Sequence, residues 1–208
     1  MTTLPKDVLH WIAGYHGTVT SVALRERGIS AFQQRRLVQD GTLIRMINGS
    51  YRFAGAPSNH HDRYVSACSH ASELVICGPS AGLLWNLRRM PRDGLVHVIA
   101  PPHSNPTTAP WLKPYRTALL DPRHVVHRLD GIRLTAPPRT AVDLSRHLNG
   151  TDLRSIIDQL VHRGTCTPET MRDVALSLDT PGRPWARRFL DVLDKRPAGP
   201  PTESHGES

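Results

Sequence analysis

Five side chains within ten residues, Ser30, Gln33, Arg35, Arg36 and Gln39, hold the densest chemistry in this sequence. They are hydrogen-bonding groups, neither nucleophiles nor acids. Gln and Arg each present a pair of polar atoms that matches an adenine or guanine edge in the major groove of DNA. Ser30 with Gln33 three residues on is a capping-box pattern, and a capped helix start aims free backbone N–H groups at an anion. Arg45, Asn48, Gly49 and Arg52 follow closely, with the two arginines placed to meet phosphates. The expected chemistry is recognition of a polyanion.

Three other groupings hold residue types that could support a reaction. Asp121, His124, His127 and Asp130 supply donor types that a divalent metal takes, but they fall between short apolar runs and read as turn and surface residues. His60-His61-Asp62 has no Cys or His at ligand spacing and reads as the start of a surface helix with Asp62 in its first turn. Gly78-Pro79-Ser80-Ala81-Gly82 resembles a nucleophile elbow loosely, and Ser80 reads as a helix cap. No catalytic residue, metal or cofactor is expected, and the chain is not expected to be an enzyme.

The elements that must position the polar helix are legible. Leu4-Pro5 opens a helix with Val8, Leu9, Ile12 and Ala13 on one face, ended by Gly14 and Gly17. Thr18-Val19-Thr20 is extended, and Thr20 caps a helix with Val22, Ala23 and Leu24 inward, stopped by Gly28. The helix begun by Ser30 runs to Asp40 and stops at Gly41. Leu37 and Val38 face inward, and Gln34 stands where an apolar residue is expected. Two places are open to Phe32, the core or the outer face. Asn48-Gly49 joins residues 43–47 to 50–53 as a two-residue hairpin, since both positions accept positive φ. This is the order of a winged helix-turn-helix.

Beyond a short linker at 54–59, the pattern is mixed. Helices are expected at 62–71, 81–87, from Pro137 or Pro138, at 152–162, from Thr167 and at 184–195, and strands at 75–77, 96–100, 115–120, 125–127 and 131–135. Residues 101–114 read as an irregular proline-rich loop. Arg139 and Asp143, four apart on one helix face, make an ion pair worth about 0.3 kcal/mol if exposed. The expected fold class is therefore α/β (α+β): a winged helix-turn-helix over 1–55, a mixed α/β domain over 56–196 that ends in a helical bundle, and a disordered tail over 197–208.

Bulk properties agree with a polyanionic partner. Of 208 residues, Lys and Arg outnumber Asp and Glu 26 to 18, for a formal charge of +8. Residues 1–55 carry seven basic against three acidic side chains, 56–150 eleven against six, and 151–208 eight against nine. Lysine occurs only at 6, 113 and 195, so arginine richness alone is no sign of phosphate binding. No apolar run is long enough to span a bilayer. Cys68, Cys77 and Cys166 form no CxxC pair and read as reduced, buried residues, so a cytoplasmic location is expected.

The stretch GTVT…LRERGIS…RRLVQDGTLIRMINGSYRF resembles the N-terminal domain of the AbiEi family of antitoxins. The later VHVIAP and DGIRLTAPPRTAVDL segments look like the second domain of its actinobacterial members. The resemblance covers about residues 8–195. It implies a winged helix-turn-helix that binds double-stranded DNA in its own promoter and represses the operon, and a second domain that counteracts a nucleotidyltransferase-like toxin. It places Ser30, Gln33, Arg35 and Arg36 on the recognition helix and Arg45, Asn48, Gly49 and Arg52 on the wing. Many relatives continue into a Vsr-like endonuclease domain after a linker similar to RPAGPPTESHGES, where this sequence stops. A DNA-binding regulator without a toxin partner, and a nuclease-associated protein lacking its endonuclease domain, are the alternatives.

Overall fold

Apolar side chains at helical spacing and short β-branched runs give nine α-helices and eight strands among residues 4–71, 73–104 and 109–196, the part of the chain that the computed structural model describes. The expected tail at 197–208 and the middle of the proline-rich stretch lie outside these residues.

The first module contains α1 (Lys6–Gly14), β1 (Thr18–Thr20), α2 (Ser21–Glu26), α3 (Ala31–Gln39), β2 (Leu43–Ile47) and β3 (Ser50–Phe53). β3 lies between β1 and β2, antiparallel to both. This is the winged helix-turn-helix arrangement. Val8, Ile12, Val19, Leu24, Leu37, Leu43 and Tyr51 form its core. Val22, expected inward, is instead half exposed at the start of α2.

The opposite face of this sheet is covered as well. An irregularity in β2 between Arg45 and Ile47 brings Ile47 opposite Ser50. Ile47 thereby joins the core of the second domain, with Tyr64, Val65 and Cys68 of α4 (His60–His70). Ser50 Oγ donates to Ser66 Oγ, and Thr18 Oγ1 donates to the carbonyl of Asp62. Asp62 lies in the first turn of α4 as expected, but it is buried, not on the surface. The boundary near residue 55 is therefore a change of architecture without a gap in packing.

The second sheet runs β6-β5-β4-β8-β7, from β4 (Val75–Ile76), β5 (Val96–Ala100), β6 (Leu112–Arg116), β7 (Val125–His127) and β8 (Arg133–Thr135). β5 and β6 are parallel, as are β4 and β8; β4–β5 and β7–β8 are antiparallel. β6 takes in residues that read as proline-rich loop, and ends at Arg116 rather than 120. Its Pro114 is tolerated because β6 is an edge strand, where a missing N–H costs no ladder bond on the open side.

α5 (Gly78–Leu84), α6 (Pro137–Leu144), α7 (Gly150–His162), α8 (Pro168–Leu178) and α9 (Pro184–Asp194) pack as a bundle around Leu144, Ile156, Ile157, Met171 and Phe189. Asn149 and Thr167 cap α7 and α8 through their side chains. Arg139 and Asp143 are not on an exposed face. Both are buried, 3.1 Å apart, with Arg139 also donating to the carbonyl of Leu119. Burial pushes the Asp143 carboxyl up while Arg139 pulls it back.

Candidate nucleic-acid interface

α3 is fixed at both ends and underneath. At its start, Gln33 N–H donates to Ser30 Oγ and Ser30 N–H donates to Gln33 Oε1, completing the capping box. Beneath it, Gln34 is buried, and its Nε2 donates to the carbonyls of Ile29 (2.9 Å) and Ser21 (3.2 Å). An amide is needed there because the turn between α2 and α3 aims the Ile29 carbonyl inward, where an apolar side chain would leave it unpaired. Leu37, one turn on, completes the inward face.

The outer face follows from helix geometry. At about 100° per residue, positions 32, 36 and 39 cluster on the side opposite Gln34 and Leu37, with 35 beside them. Phe32, Arg35, Arg36 and Gln39 are all exposed, and Phe32 is 61% exposed at the centre of the face. The place left open for Phe32 is thus the outer face. Arg35 and Arg36 occur in none of the ion pairs among the described residues. Gln33 is on the flank, and its Oε1 is committed to the cap. Bidentate reading of adenine by Gln33 would require breaking the capping box, because that contact uses both amide atoms.

The hairpin departs from expectation at Asn48 and at Arg52. Only Gly49 takes a positive φ (74°), and Asn48 does not, so the turn needs one left-handed residue. The turn does not project freely, because Ser21 N–H donates to the Gly49 carbonyl at 2.8 Å and ties it to the start of α2. Asn48 stays exposed. Arg45 also remains exposed, its guanidinium 5.7 Å from the centre of the Tyr51 ring.

Arg52, expected on the wing surface, is turned under it. Its Nη1 donates to the Ala56 carbonyl at 2.9 Å, its Nε lies 3.5 Å from Asp62, and its side chain is 14% exposed. The physical reason is the buried carboxylate of Asp62, which needs a cation, and β3 places Arg52 on the face that α4 covers.

The other groupings resolve into structural roles. Asp121 caps a 3₁₀ turn at Pro122–His124 and is paired with Arg123, whose hydrogen bonds hold its carboxyl down at about 2. Asp130 binds both Arg128 and His16. Burial pushes its carboxyl up, but hydrogen bonds from Arg128, His16 and the Ile132 N–H outweigh this and leave it at about 2. Among the described residues, no three His, Cys, Asp or Glu side chains are placed to hold a metal ion.

Gly78-x-Ser80-x-Gly82 does carry the spacing of a nucleophile elbow. Yet Ser80 is the third residue of α5, not its cap. It is buried, with its Oγ donating to the Leu95 carbonyl and accepting from the His97 N–H. It stitches α5 to β5 through backbone groups and meets the Tyr64 hydroxyl, and none of these partners is an imidazole nitrogen. Sequence reasoning missed the chain beside it, in which His97 Nε2 meets Asp93 (3.0 Å) and Nδ1 meets the Tyr115 hydroxyl (3.0 Å). A histidine inside the apolar run Val96–Ala100 was the available signal.

The fold and this face define a winged helix-turn-helix joined through a shared helix to an α/β domain. No protein-family model and no curated protein matches the chain. Among solved structures, the crystal structure of the RV2827C protein from Mycobacterium tuberculosis is similar, with a TM-score of 0.53 and 19% sequence identity over 95% of this chain and 84% of that one. At that identity the similarity carries the fold. No helix among the described residues is long and apolar enough to cross a membrane.

Proposed function

We propose that this chain is a DNA-binding antitoxin that represses its own operon through α3 and counteracts a nucleotidyltransferase-like toxin through its second domain, itself without catalytic activity. The observation that carries the DNA-binding part is the outer face of α3. Two arginines that make no ion pair among the described residues and one glutamine are held there by a capping box and a buried amide lock. Each is able to meet a base edge or a phosphate. The antitoxin part rests on the family resemblance of the sequence.

The test is a titration of the purified protein on its own upstream DNA and on a scrambled duplex at several salt concentrations. Selective binding is expected. Arg35→Ala and Arg36→Ala should each weaken binding and lower the salt slope by about 1 if the guanidinium sits on a phosphate. Equal affinity for both duplexes would refute the reading. The antitoxin part is tested by co-expression with a neighbouring nucleotidyltransferase, where failure to rescue growth counts against it.

A second reading, a repressor governed by a small ligand, has one observation in its favour. A cavity of about 440 Å³ lies between the start of α4 and the 91–95 loop, lined by His61, Tyr64, Leu83, Leu84, Arg92 and Leu95. Its size is within the range of small-ligand sites. It touches the helix turn whose Asp62 holds Arg52 of the hairpin. A ligand there should change operator affinity, and a probe that raises thermal stability without altering DNA binding would remove this reading.

A further inference from the structure

The remaining unexplained feature of the interface is Phe32. Single exposed apolar residues are ordinary on protein surfaces. This one is different in position. It is the second residue of α3, opposite the buried Gln34 and Leu37, so its ring stands on the midline of the outward face, in the first turn of the helix. Its neighbours three and four residues on are Arg35 and Arg36, and Gln39 lies a further turn along the same face, all exposed. An aromatic ring with two exposed arginines one turn further along the same face suits an apolar group embedded in a polar, anionic surface.

The major groove offers one such group. Thymine carries a 5-methyl group at its edge, and apolar side chains read it by contact. The capping box strengthens the assignment, because Gln33, the adjacent polar candidate, has its carbonyl oxygen occupied. We infer that Phe32 is a specificity-determining residue that packs against the 5-methyl group of a thymine in the operator, with Arg35 and Arg36 on the flanking phosphates or guanines. This rests on the DNA-binding reading above and goes beyond it by assigning the base and the atom.

The experiment uses the full chain. Duplexes are first enriched from a random pool by the wild-type protein. Each thymine of the winning sequence is then replaced in turn by deoxyuridine, which removes the methyl group and nothing else. At one or two positions the wild type should lose about fourfold in affinity, the equivalent of one methyl-sized apolar burial. Phe32→Ala should bind the thymine duplex more weakly than wild type and show no further loss with uracil at those positions. Val22→Ala, a truncation on a different helix, should keep the wild-type response to uracil.

If no position responds to uracil, or if the response persists in Phe32→Ala, the assignment is overturned while DNA binding stands. If no duplex is enriched from the pool, the DNA-binding reading itself fails and takes this inference with it. Sedimentation of wild type and Phe32→Ala closes the remaining route. A dimer that Phe32→Ala splits, with uracil sensitivity absent, would assign the ring to a second copy of the chain and overturn the inference.

Discussion

Replacing Gln34 with leucine tests the lock beneath α3. The side chains are similar in size, so the change isolates the amide. Two hydrogen bonds disappear, to the carbonyls of Ile29 and Ser21. The Ser21 carbonyl, in the first turn of α2, retains the helical ladder, but the Ile29 carbonyl in the turn does not. A buried acceptor left without a donor costs about 1–3 kcal/mol, and the second lost bond adds about 0.5–1.5 kcal/mol. Burying leucine in place of an amide returns roughly 1–2 kcal/mol. Taking the middle of each range, the net expectation is destabilisation of about 1–2 kcal/mol. Urea unfolding followed by circular dichroism should show a midpoint lower by roughly 0.5–1 M at unchanged slope. A Gln34→Leu protein as stable as wild type, or more so, would mean that the position is an ordinary apolar core site, and the argument that the turn requires a donor would fail.

Other expectations follow from buried or paired charges. Asp143→Ala leaves the Arg139 guanidinium buried without its carboxylate and should cost about 3–5 kcal/mol in thermal or chemical unfolding, with much of the loss recovered in Arg139→Met/Asp143→Leu. Arg52→Ala should lower stability by roughly 1–3 kcal/mol by stranding Asp62, yet leave the salt slope of DNA binding unchanged; a reduced slope would return Arg52 to the interface. Asp130 has a folded pKa of about 2, below the unfolded value of about 3.9, so its contribution is complete above the unfolded pKa and is lost as pH falls through the folded one. Asp130→Asn should therefore flatten the stability profile between about pH 4 and pH 2, and an unchanged profile would refute its pairing with Arg128 and His16.

Local chemistry carried much of the outcome. The sequence contained the capping box at Ser30 and Gln33, the stop at Gly41, the strands at 96–100 and 125–127, the cap at Thr20 and the helix start at Thr167, because each depends on residues a few positions apart. Helical spacing also fixed which side of α3 Arg35, Arg36 and Gln39 occupy. Contacts between distant residues were decided only in three dimensions. Arg52 and Asp62 look like surface charges until α4 covers the sheet, burying Asp62 and most of Arg52. Gln34 looks misplaced until the α2–α3 turn and the start of α2 supply its carbonyls, and Phe32 is settled only when Gln34 and Leu37 define the inside. Arg139 and Asp143 share a helix face in sequence, but whether that face meets water or the bundle depends on α8, α9 and the 119 carbonyl packed against it. Residue type and short spacing determine hydrogen bonds closed within a turn or two, whereas burial is a property of what the rest of the chain brings alongside.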